Sequence, residues 1–207
     1  MMQVLVVTGG IGSGKSEVCR ILKEKGLDCQ YDADRMVKRL YGEHPTLLAD
    51  IERELGSSFR NDDGVFVPGK LASRIFSDSD ALETVESLVF PALIDDFRSF
   101  CHQNADEDIL VFESATILEK PFFDGFGDMT VLVDAPMEMR LERACRRDGV
   151  SRDAVAARMK GQKLMNALSE GYADPRIDAV IMNDSGIGEL ENRIENVMTV
   201  LFGDWKK

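Results

Sequence analysis

The segment GGIGSGKS, residues 9–16, is the most informative part of this chain for its fold. It matches the pattern G-x-x-x-x-G-K-S/T, in which the glycines let the backbone curl so that successive N–H groups face phosphate oxygens. The apolar run at residues 4–7 predicts a strand buried on both faces of a parallel sheet. The apolar period of residues 15–25 predicts a helix that stops at Gly26. A strand, a glycine-rich turn and a helix in this order predict a phosphate-binding loop (P-loop) in an α/β protein.

The polar groups of the P-loop have specific places in phosphoryl transfer from ATP. We expect Lys15 to reach the β- and γ-phosphates and the Ser16 hydroxyl to coordinate Mg²⁺. The helix that follows adds its positive N-terminal end. The sequence has no N-K-x-D guanine signature and no D-x-x-G switch after a strand, which disfavours a regulatory GTPase. The predicted nucleotide-binding residues of this stretch are Gly10, Ile11, Gly12, Ser13, Gly14, Lys15, Ser16 and Glu17.

Two carboxylates follow the second predicted strand, residues 27–31, in the segment Asp32-Ala33-Asp34. The carboxyl edge of a parallel sheet is where α/β folds bind ligands. In extended backbone, residues i and i+2 share a face, so both carboxylates would point into one cleft. We predict Asp32 as a Mg²⁺ ligand beside Ser16, and Asp34 as the catalytic group that orients the acceptor hydroxyl or accepts its proton. The alternative is that Asp32 caps a helix beginning near Asp34, and both roles are compatible.

Three further apolar runs alternate with helical patterns, which predicts a doubly wound parallel sheet. These runs are residues 109–112, 130–133 and 179–182. Residues 36–103 are mostly helical in pattern, interrupted by a polar turn at 61–64, and predict an inserted helical subdomain. Residues 138–147 and 151–168 predict two more helices, with Ser151 as the N-cap of the second.

The chain is acidic overall and basic in one short segment. Its net charge of −12 argues against a nucleic-acid partner, because such binding relies on a basic surface. Residues 138–163 nevertheless carry eight basic side chains against four acidic ones. That segment predicts a lid that closes over ATP and brings arginines to the developing charge, with Arg140, Arg143, Arg147 and Arg158 as candidates. The alternative for each arginine is a solvated helix face with i, i+4 ion pairs.

Composition excludes several other classes of protein. A length of 207 residues with 44% hydrophobic side chains suits one α/β domain with inserted subdomains. Four well-separated cysteines without a C-x-x-C pair indicate neither a disulfide framework nor a metal knuckle, and two histidines disfavour a histidine-rich metal site. No apolar stretch approaches the ~20 residues that span a bilayer, so we expect a soluble cytoplasmic protein with no membrane partner. The apolar pattern predicts no particular oligomeric state.

The P-loop and the carboxylate pair together resemble the dephospho-CoA kinase family. The resemblance rests first on TGGIGSGKS at residues 8–16 and DAD at residues 32–34, and it runs along nearly the whole chain. Weaker matching pieces lie at residues 74–76, 82–83, 91–94 and 131–134, at Gln162 and at residues 177–183. The resemblance implies transfer of the ATP γ-phosphoryl group to the ribose 3′-hydroxyl of dephospho-CoA, with Mg²⁺, as the last step of coenzyme A synthesis.

The resemblance also implies three parts and several residue roles. Asp34 would be the catalytic aspartate, Arg143 and Arg147 would be catalytic lid arginines near the phosphates, and Asn183 would lie near the adenine of ATP. The implied parts of this single P-loop kinase domain are a core of residues 1–35, 104–137 and 170–207, an acceptor-binding helical insert of residues 36–103, and a lid of residues 138–169.

Three departures from the family pattern bear on the acceptor. Phe90-Pro91 stands where the family commonly has His-Pro, and an arginine expected near Pro68 is missing. Residues 115–119, ATILE, stand where the family usually has Pro-Leu-Leu before a glutamate. These positions concern the acceptor rather than ATP.

Two alternative functions retain nucleotide binding at the P-loop. Other P-loop metabolite kinases, such as shikimate kinase, also place D-x-D after the second strand, but a large helical insert suits a long, partly apolar acceptor better than a short one. A nucleotide-binding module without turnover is the second alternative. The presence of Lys15, Ser16 and Asp34 argues against it.

Overall fold

The structure, a computed structural model, describes residues 2–169 and 171–205. Residues 1, 170, 206 and 207, which belong to the predicted core, lie outside the described part. The strands in the described residues are β1 Gln3–Thr8, β2 Gln30–Asp32, β3 Ile109–Glu113, β4 Met129–Asp134 and β5 Ala179–Met182. They form one parallel sheet in the order β2-β3-β1-β4-β5. All four strand pairings are parallel, which confirms the predicted parallel sheet.

The central strand β1 positions the P-loop. Its residues Leu5, Val6 and Val7 are at most 1% exposed, because β3 and β4 flank both of its edges and side chains pack on both faces. The loop after β1 therefore opens at the middle of the carboxyl edge of the sheet. The predicted second strand was placed too early. The Gln30 side chain donates hydrogen bonds to the carbonyls of Leu27 and Cys19, which holds the residues before β2 in a loop.

The structure contains the helix that was predicted after the P-loop, whereas the helix predicted for residues 151–168 is divided into two. The described helices are α1 Lys15–Glu24, α2 Ala33–Glu43, α3 Leu47–Leu55, α4 Pro68–Ser77, α5 Ser79–Gln103, α6 Met137–Asp148, α7 Arg152–Lys160, α8 Lys163–Ser169 and α9 Ile187–Phe202. Ser151 caps α7 as predicted, accepting the Ala154 N–H at 3.3 Å. The single helix predicted for residues 151–168 is wrong: Gln162 separates α7 from α8, and its side chain accepts the backbone N–H of Ile11 at 2.9 Å.

The chain forms two compact units. The sheet unit contains the described residues up to Asp32 and from Asn104 onwards, and the helical unit is Ala33–Gln103. In the sheet unit, α1 and α9 contribute to a core of buried side chains shared with β1 and its neighbours. That core supports the strand that leads into the P-loop.

The long helix α5 is the centre of the helical unit. Its buried residues Val85, Val89 and Leu93 repeat every four positions and form one stripe, and α2, α3 and α4 all contact this helix. The polar turn between α3 and α4 is closed by Asn61, whose Oδ1 accepts the N–H groups of Asp63 and Val65. This unit is therefore stabilised mainly by helix-on-helix packing.

Candidate phosphate-binding site

The P-loop joins β1 to α1 in a conformation that requires glycine. Gly12 and Gly14 have φ angles of 74° and 99°, which side-chain-bearing residues rarely adopt. Both are also closely approached: a Cβ atom at Gly12 would lie 2.1 Å from the Arg140 carbonyl oxygen, and one at Gly14 would lie 2.0 Å from Asn183 Nδ2. The shape of the loop is thus fixed by backbone conformation and by its neighbours together.

The lysine of the loop reaches back across it. Lys15 Nζ donates a hydrogen bond to the Gly9 carbonyl oxygen at 2.8 Å, so its ammonium group lies over the start of the loop. Glu17, which was predicted to contact nucleotide, forms an ion pair with Arg20 in the first turns of α1. The hydrogen bond from Arg20, with its charge, outweighs burial and holds the pKa of Glu17 below its usual range.

A carboxylate at the end of β3 holds the serine of the loop. Ser16 Oγ donates to Glu113 Oε1 at 2.9 Å. In the sheet Glu113 is in register with Asp32 of β2 on one side and Val7 of β1 on the other. Burial raises the pKa of Glu113, the Ser16 hydrogen bond opposes the shift, and the Asp32 charge adds to it. Ser16, Asp32 and Glu113 therefore bring three oxygen-bearing side chains to one edge of the sheet.

Sequence reasoning did not select Glu113. The signal was available, because Glu113 follows the predicted strand 109–112 directly, at the same carboxyl edge as the P-loop. A carboxylate in that position is a natural partner for the serine of the motif. The hydrogen bond to Ser16 is what distinguishes it from the other acidic residues of this acidic chain.

The extended geometry predicted for Asp32 and Asp34 is wrong. Asp32 is the last residue of β2, but helix α2 begins at Ala33, so Asp34 lies in the first turn of a helix. Successive side chains of a helix point about 100° apart, so the rule that places residues i and i+2 on one face does not apply here. Asp32 directly precedes the helix, which is where the capping alternative placed it. Asp34 belongs to the helical unit.

The second side of the loop contacts the end of β5 and helix α6. Asn183 Nδ2 donates to the Ser13 carbonyl at 2.9 Å, and Arg143 Nη2 donates to Asn183 Oδ1 at 3.4 Å. Two polar atoms here are buried without a hydrogen-bond partner, Ser13 Oγ and Arg143 Nη1. Buried polar groups are nearly always satisfied in folded proteins, so two unsatisfied ones beside a phosphate loop are typical of a site that receives a polar ligand.

The other predicted lid arginine is held in a surface ion pair. Arg147 donates from Nε and Nη2 to both carboxylate oxygens of Asp148, at 2.6 and 3.1 Å. Arg158 of α7 donates to the same carboxylate at 2.7 Å. The two guanidinium groups hold the pKa of Asp148 well below its usual range. This arrangement ties α6 to α7, and the phosphate role of Arg147 stays a prediction.

Neither a self-sufficient metal site nor a membrane span is found in the described residues. No group of three or more His, Cys, Asp or Glu side chains in residues 2–169 and 171–205 is arranged to hold a metal ion by itself. Across the same residues no helix has both the length and the apolar character that crossing a membrane requires.

The parallel sheet and its phosphate loop define a P-loop kinase, a transferase, and solved structures share the fold. TT1252 from Thermus thermophilus superposes with a TM-score of 0.80 at 26% identity, covering 97% of this chain and 98% of that one. A dephospho-CoA kinase from Campylobacter jejuni gives a TM-score of 0.66 at 18% identity with the same coverage, and a shikimate kinase from Acinetobacter baumannii gives 0.53 at 16%, covering 100% of this chain and 97% of that one. The last two show the fold alone.

Sequence comparison identifies the family. The family model for dephospho-CoA kinase matches residues 3–189. The dephospho-CoA kinase of Porphyromonas gingivalis is 37% identical over 84% of each chain. That of Salinibacter ruber is 34% identical over 93% of this chain and 94% of its own. The chain belongs to the dephospho-CoA kinase family.

Proposed function

We propose that this chain transfers the γ-phosphoryl group of ATP to the ribose 3′-hydroxyl of dephospho-CoA, giving coenzyme A and ADP. The observation that carries the proposal is a complete P-loop whose Ser16 hydroxyl is held by Glu113, in a chain whose family model spans residues 3–189. We further propose that it acts in the cytoplasm on a small-molecule substrate. The net charge of −12 disfavours nucleic acid as acceptor.

The residues around the P-loop fit the phosphates of ATP. The loop amides of Gly12 and Gly14 and the N-terminus of α1 supply donors, and Lys15 supplies a charge that moves from the Gly9 carbonyl to the β- and γ-phosphates. The unpaired Ser13 Oγ and Arg143 Nη1 offer further hydrogen-bonding capacity beside the loop, next to Asn183.

The oxygen atoms at the sheet edge fit Mg²⁺. This cation prefers hard oxygen ligands and is usually held by one or two carboxylates together with substrate phosphates and waters, so a cage of protein ligands is not required. Glu113 accepts the hydroxyl hydrogen of Ser16, which leaves the lone pairs of Ser16 Oγ for a cation. Asp32 stands in register with Glu113. When bound, the cation neutralises charge on the transferring phosphoryl group.

Asp34 is the proposed catalytic base. Its carboxylate orients the 3′-hydroxyl and accepts the hydroxyl proton while the oxygen bonds to the γ-phosphorus and the bond to the bridging oxygen of ADP breaks. Arg143 and Arg147 are the proposed lid arginines that stabilise the charge on the transferring group, and Arg147 would have to leave Asp148 to do so. The helical unit, with residues 36–103, is the proposed acceptor-binding part.

The decisive test is acceptor-dependent ADP release with Mg²⁺ and ATP. Dephospho-CoA is compared with shikimate and with no acceptor, and the product is identified by its mass. We expect turnover only with dephospho-CoA, and product that carries one additional phosphoryl group. Turnover with shikimate would favour the other class of metabolite kinase, and tight ATP binding without any phosphorylated acceptor would favour a non-catalytic nucleotide-binding module.

A further inference from the structure

Arg140 is the most deeply buried charged group beside the P-loop among the described residues. It is only 6% exposed, and it lies on α6 next to the buried residue Leu141. Burial lowers the pKa of its guanidinium, and the Asp134 charge opposes that shift. Taking a guanidinium out of water is costly unless its hydrogens find partners, so the contacts of Arg140 need an explanation.

Two of the three nitrogens of the Arg140 guanidinium donate hydrogen bonds, and the third faces a carboxylate. Nε donates to the carbonyl oxygen of Ile11 in the P-loop at 3.1 Å, and Nη2 donates to Gln162 Oε1 at 3.3 Å. Nη1 lies 3.7 Å from Asp134 Oδ1 at the end of β4. Arg140 therefore joins the P-loop, the end of a central strand and the junction between α7 and α8.

The backbone N–H, the carbonyl and the side chain of Ile11 all make contacts outside the P-loop. Its N–H donates to Gln162 Oε1 at 2.9 Å, so the same amide oxygen accepts from Ile11 and from Arg140. Its side chain packs against a small cluster of buried residues on α6 and α7, namely Leu141, Ala144, Val155 and Met159. Both polar groups of the Ile11 backbone and its side chain are thus attached to the segment that begins with α6.

The two glycines that flank Ile11 lie close to different parts of Arg140. A Cβ atom at Gly10 would lie 1.9 Å from the side-chain atom Nη2. A Cβ atom at Gly12 would instead lie 2.1 Å from the backbone carbonyl oxygen of Arg140. Gly10 has no positive φ angle, so a Cβ atom there is opposed by side chains alone, first by the Arg140 guanidinium and then by Met165 Cγ at 3.1 Å.

We propose that Arg140 is a positioning residue that, together with Gln162, sets the shape of the P-loop at Gly10 and Ile11 and couples it to the α7–α8 junction. Nε and Nη2 already donate to protein atoms and Nη1 faces the Asp134 carboxylate, so Arg140 acts on ATP through the shape of the loop. The proposal rests on the proposed use of the P-loop for ATP phosphates. It predicts that loss of Arg140 weakens binding of ATP and ADP and leaves the KM for dephospho-CoA unchanged.

The test is a pair of double-mutant cycles read by ADP affinity in calorimetry. Gly10→Ala and Arg140→Ala should each weaken ADP binding ~10-fold, and the double variant should be no weaker than Arg140→Ala alone, because the added methyl no longer meets the guanidinium. The matched cycle uses Gly12→Ala, whose obstacle is the backbone of Arg140. That substitution should remain fully harmful in the Arg140→Ala background.

Further variants separate positioning from charge and from simple stability. Arg140→Lys keeps the charge but cannot make the forked contacts, so it should behave like Arg140→Ala. Arg146→Gln, an exposed arginine of the same helix that pairs with Glu142, should leave ADP affinity unchanged. Normal ADP affinity in the lysine variant, additive Gly10 and Arg140 effects, or a fall in melting temperature with unchanged ADP affinity would each overturn the proposal.

Hydrogen exchange of the nucleotide-free protein tests the same contact without ATP. The peptide covering residues 9–14 should exchange ~10-fold faster in Arg140→Ala and in Gln162→Ala than in the wild type, because the Ile11 amide loses its acceptor or the support of that acceptor. Unchanged exchange would contradict the proposal. If the wild type bound no ADP or ATP, the proposed function would fail, while exchange would still decide whether Arg140 shapes the loop.

Discussion

The P-loop of the sheet unit and the helical unit are specified in different ways. In the P-loop, individual hydrogen bonds determine the conformation: Lys15 with Gly9, Ser16 with Glu113, and Ile11 with Gln162. In the helical unit, apolar packing on α5 decides, and the polar contacts are largely exposed ion pairs, which contribute little to stability. A short motif therefore determines the chemistry, whereas acceptor recognition depends on the shape of a packed unit.

The helical unit offers hollows instead of a motif. One hollow of about 180 Å³ has an almost wholly apolar lining with a lysine beside it, formed by Lys38, Tyr41, Phe66, Pro68, Leu71, Ala72 and Ile75. Pro68, near which the family resemblance leads one to expect an arginine, is part of this lining. A single substitution in this lining changes the shape and charge of the hollow, and no sequence pattern predicts how that change affects acceptor binding.

The largest effect is expected at Lys15. Lys15→Ala removes the charge proposed to meet the β- and γ-phosphates, so kcat/KM for ATP should fall ~10³-fold or more, with weaker ADP binding. ADP release and calorimetry measure the two quantities. Lys23→Ala, an exposed position on the same helix, is the matched control and should change neither. Normal turnover in Lys15→Ala would remove the P-loop from the chemistry.

A smaller and more selective effect is expected at Asp34. Asp34→Asn keeps the size of the side chain but cannot accept a proton, so kcat with dephospho-CoA should fall ~10²-fold while ADP affinity is retained. Steady-state kinetics and calorimetry on the same preparation separate the two effects. Asp62→Asn, in the exposed turn of the same unit, is the control. An unchanged kcat would show that Asp34 is not the base.

A core substitution in the helical unit should affect stability and spare the nucleotide. Ile51 is fully buried on α3, and Ile51→Ala should lower the free energy of unfolding by about 3 kcal/mol, through lost burial and the cavity left behind. Urea denaturation measures this loss, with Val65→Ala, an exposed position in the same unit, as the control. ADP affinity below the transition should be unchanged. A parallel loss of ADP affinity would mean that the two units are not independent in this respect.

The sequence predicted the fold well where its signals are local. The strands predicted at residues 109–112, 130–133 and 179–182 appear in the structure with little change, because short apolar runs between helical patterns are a local signal for strands of a parallel sheet. The P-loop and α1 were equally clear, since glycines, lysine and serine each have a position required by the motif. Ser151 was identified as an N-cap for the same local reason.

The sequence did not predict contacts that join distant segments. The bond from Arg140 to Ile11 spans 129 residues and that from Ile11 to Gln162 spans 151, so no periodicity or spacing could reveal them. The break between α7 and α8 lies at Gln162, the residue that makes the second contact. The extended geometry at Asp34 was wrong because α2 begins within one residue of the end of β2. Glu113 was overlooked although it follows a predicted strand directly, because only its hydrogen bond to Ser16 distinguishes it from the other acidic residues.

The smallest predicted effect compares one glutamate from each region. Burial first, and then the Asp32 charge, raise the pKa of Glu113, against the Ser16 hydrogen bond. Burial also acts to raise the pKa of Glu52 in the helical unit, but hydrogen bonds from Phe59, Arg60 and Ser58 lower it more. The folded protein therefore holds a proton at Glu113 more tightly than the unfolded chain does, and holds one at Glu52 less tightly.

These opposite shifts give opposite pH dependences of stability. As the pH rises from the ordinary glutamate value of 4.5 through the raised pKa, ionised Glu113 becomes a cost to folding, so Glu113→Gln should melt about 2 °C higher than wild type at pH 8 and equally at pH 4. Ionised Glu52 stabilises above the same ordinary value and loses that contribution as the pH falls through its lowered pKa, so Glu52→Gln should melt lower at pH 8, with the difference shrinking in acid. Because Glu113→Gln should also lose activity, a variant that is more stable and less active would locate strain at the sheet edge where the proposed chemistry takes place. If the melting temperatures of both variants changed in the same direction at pH 8, this assignment would be contradicted.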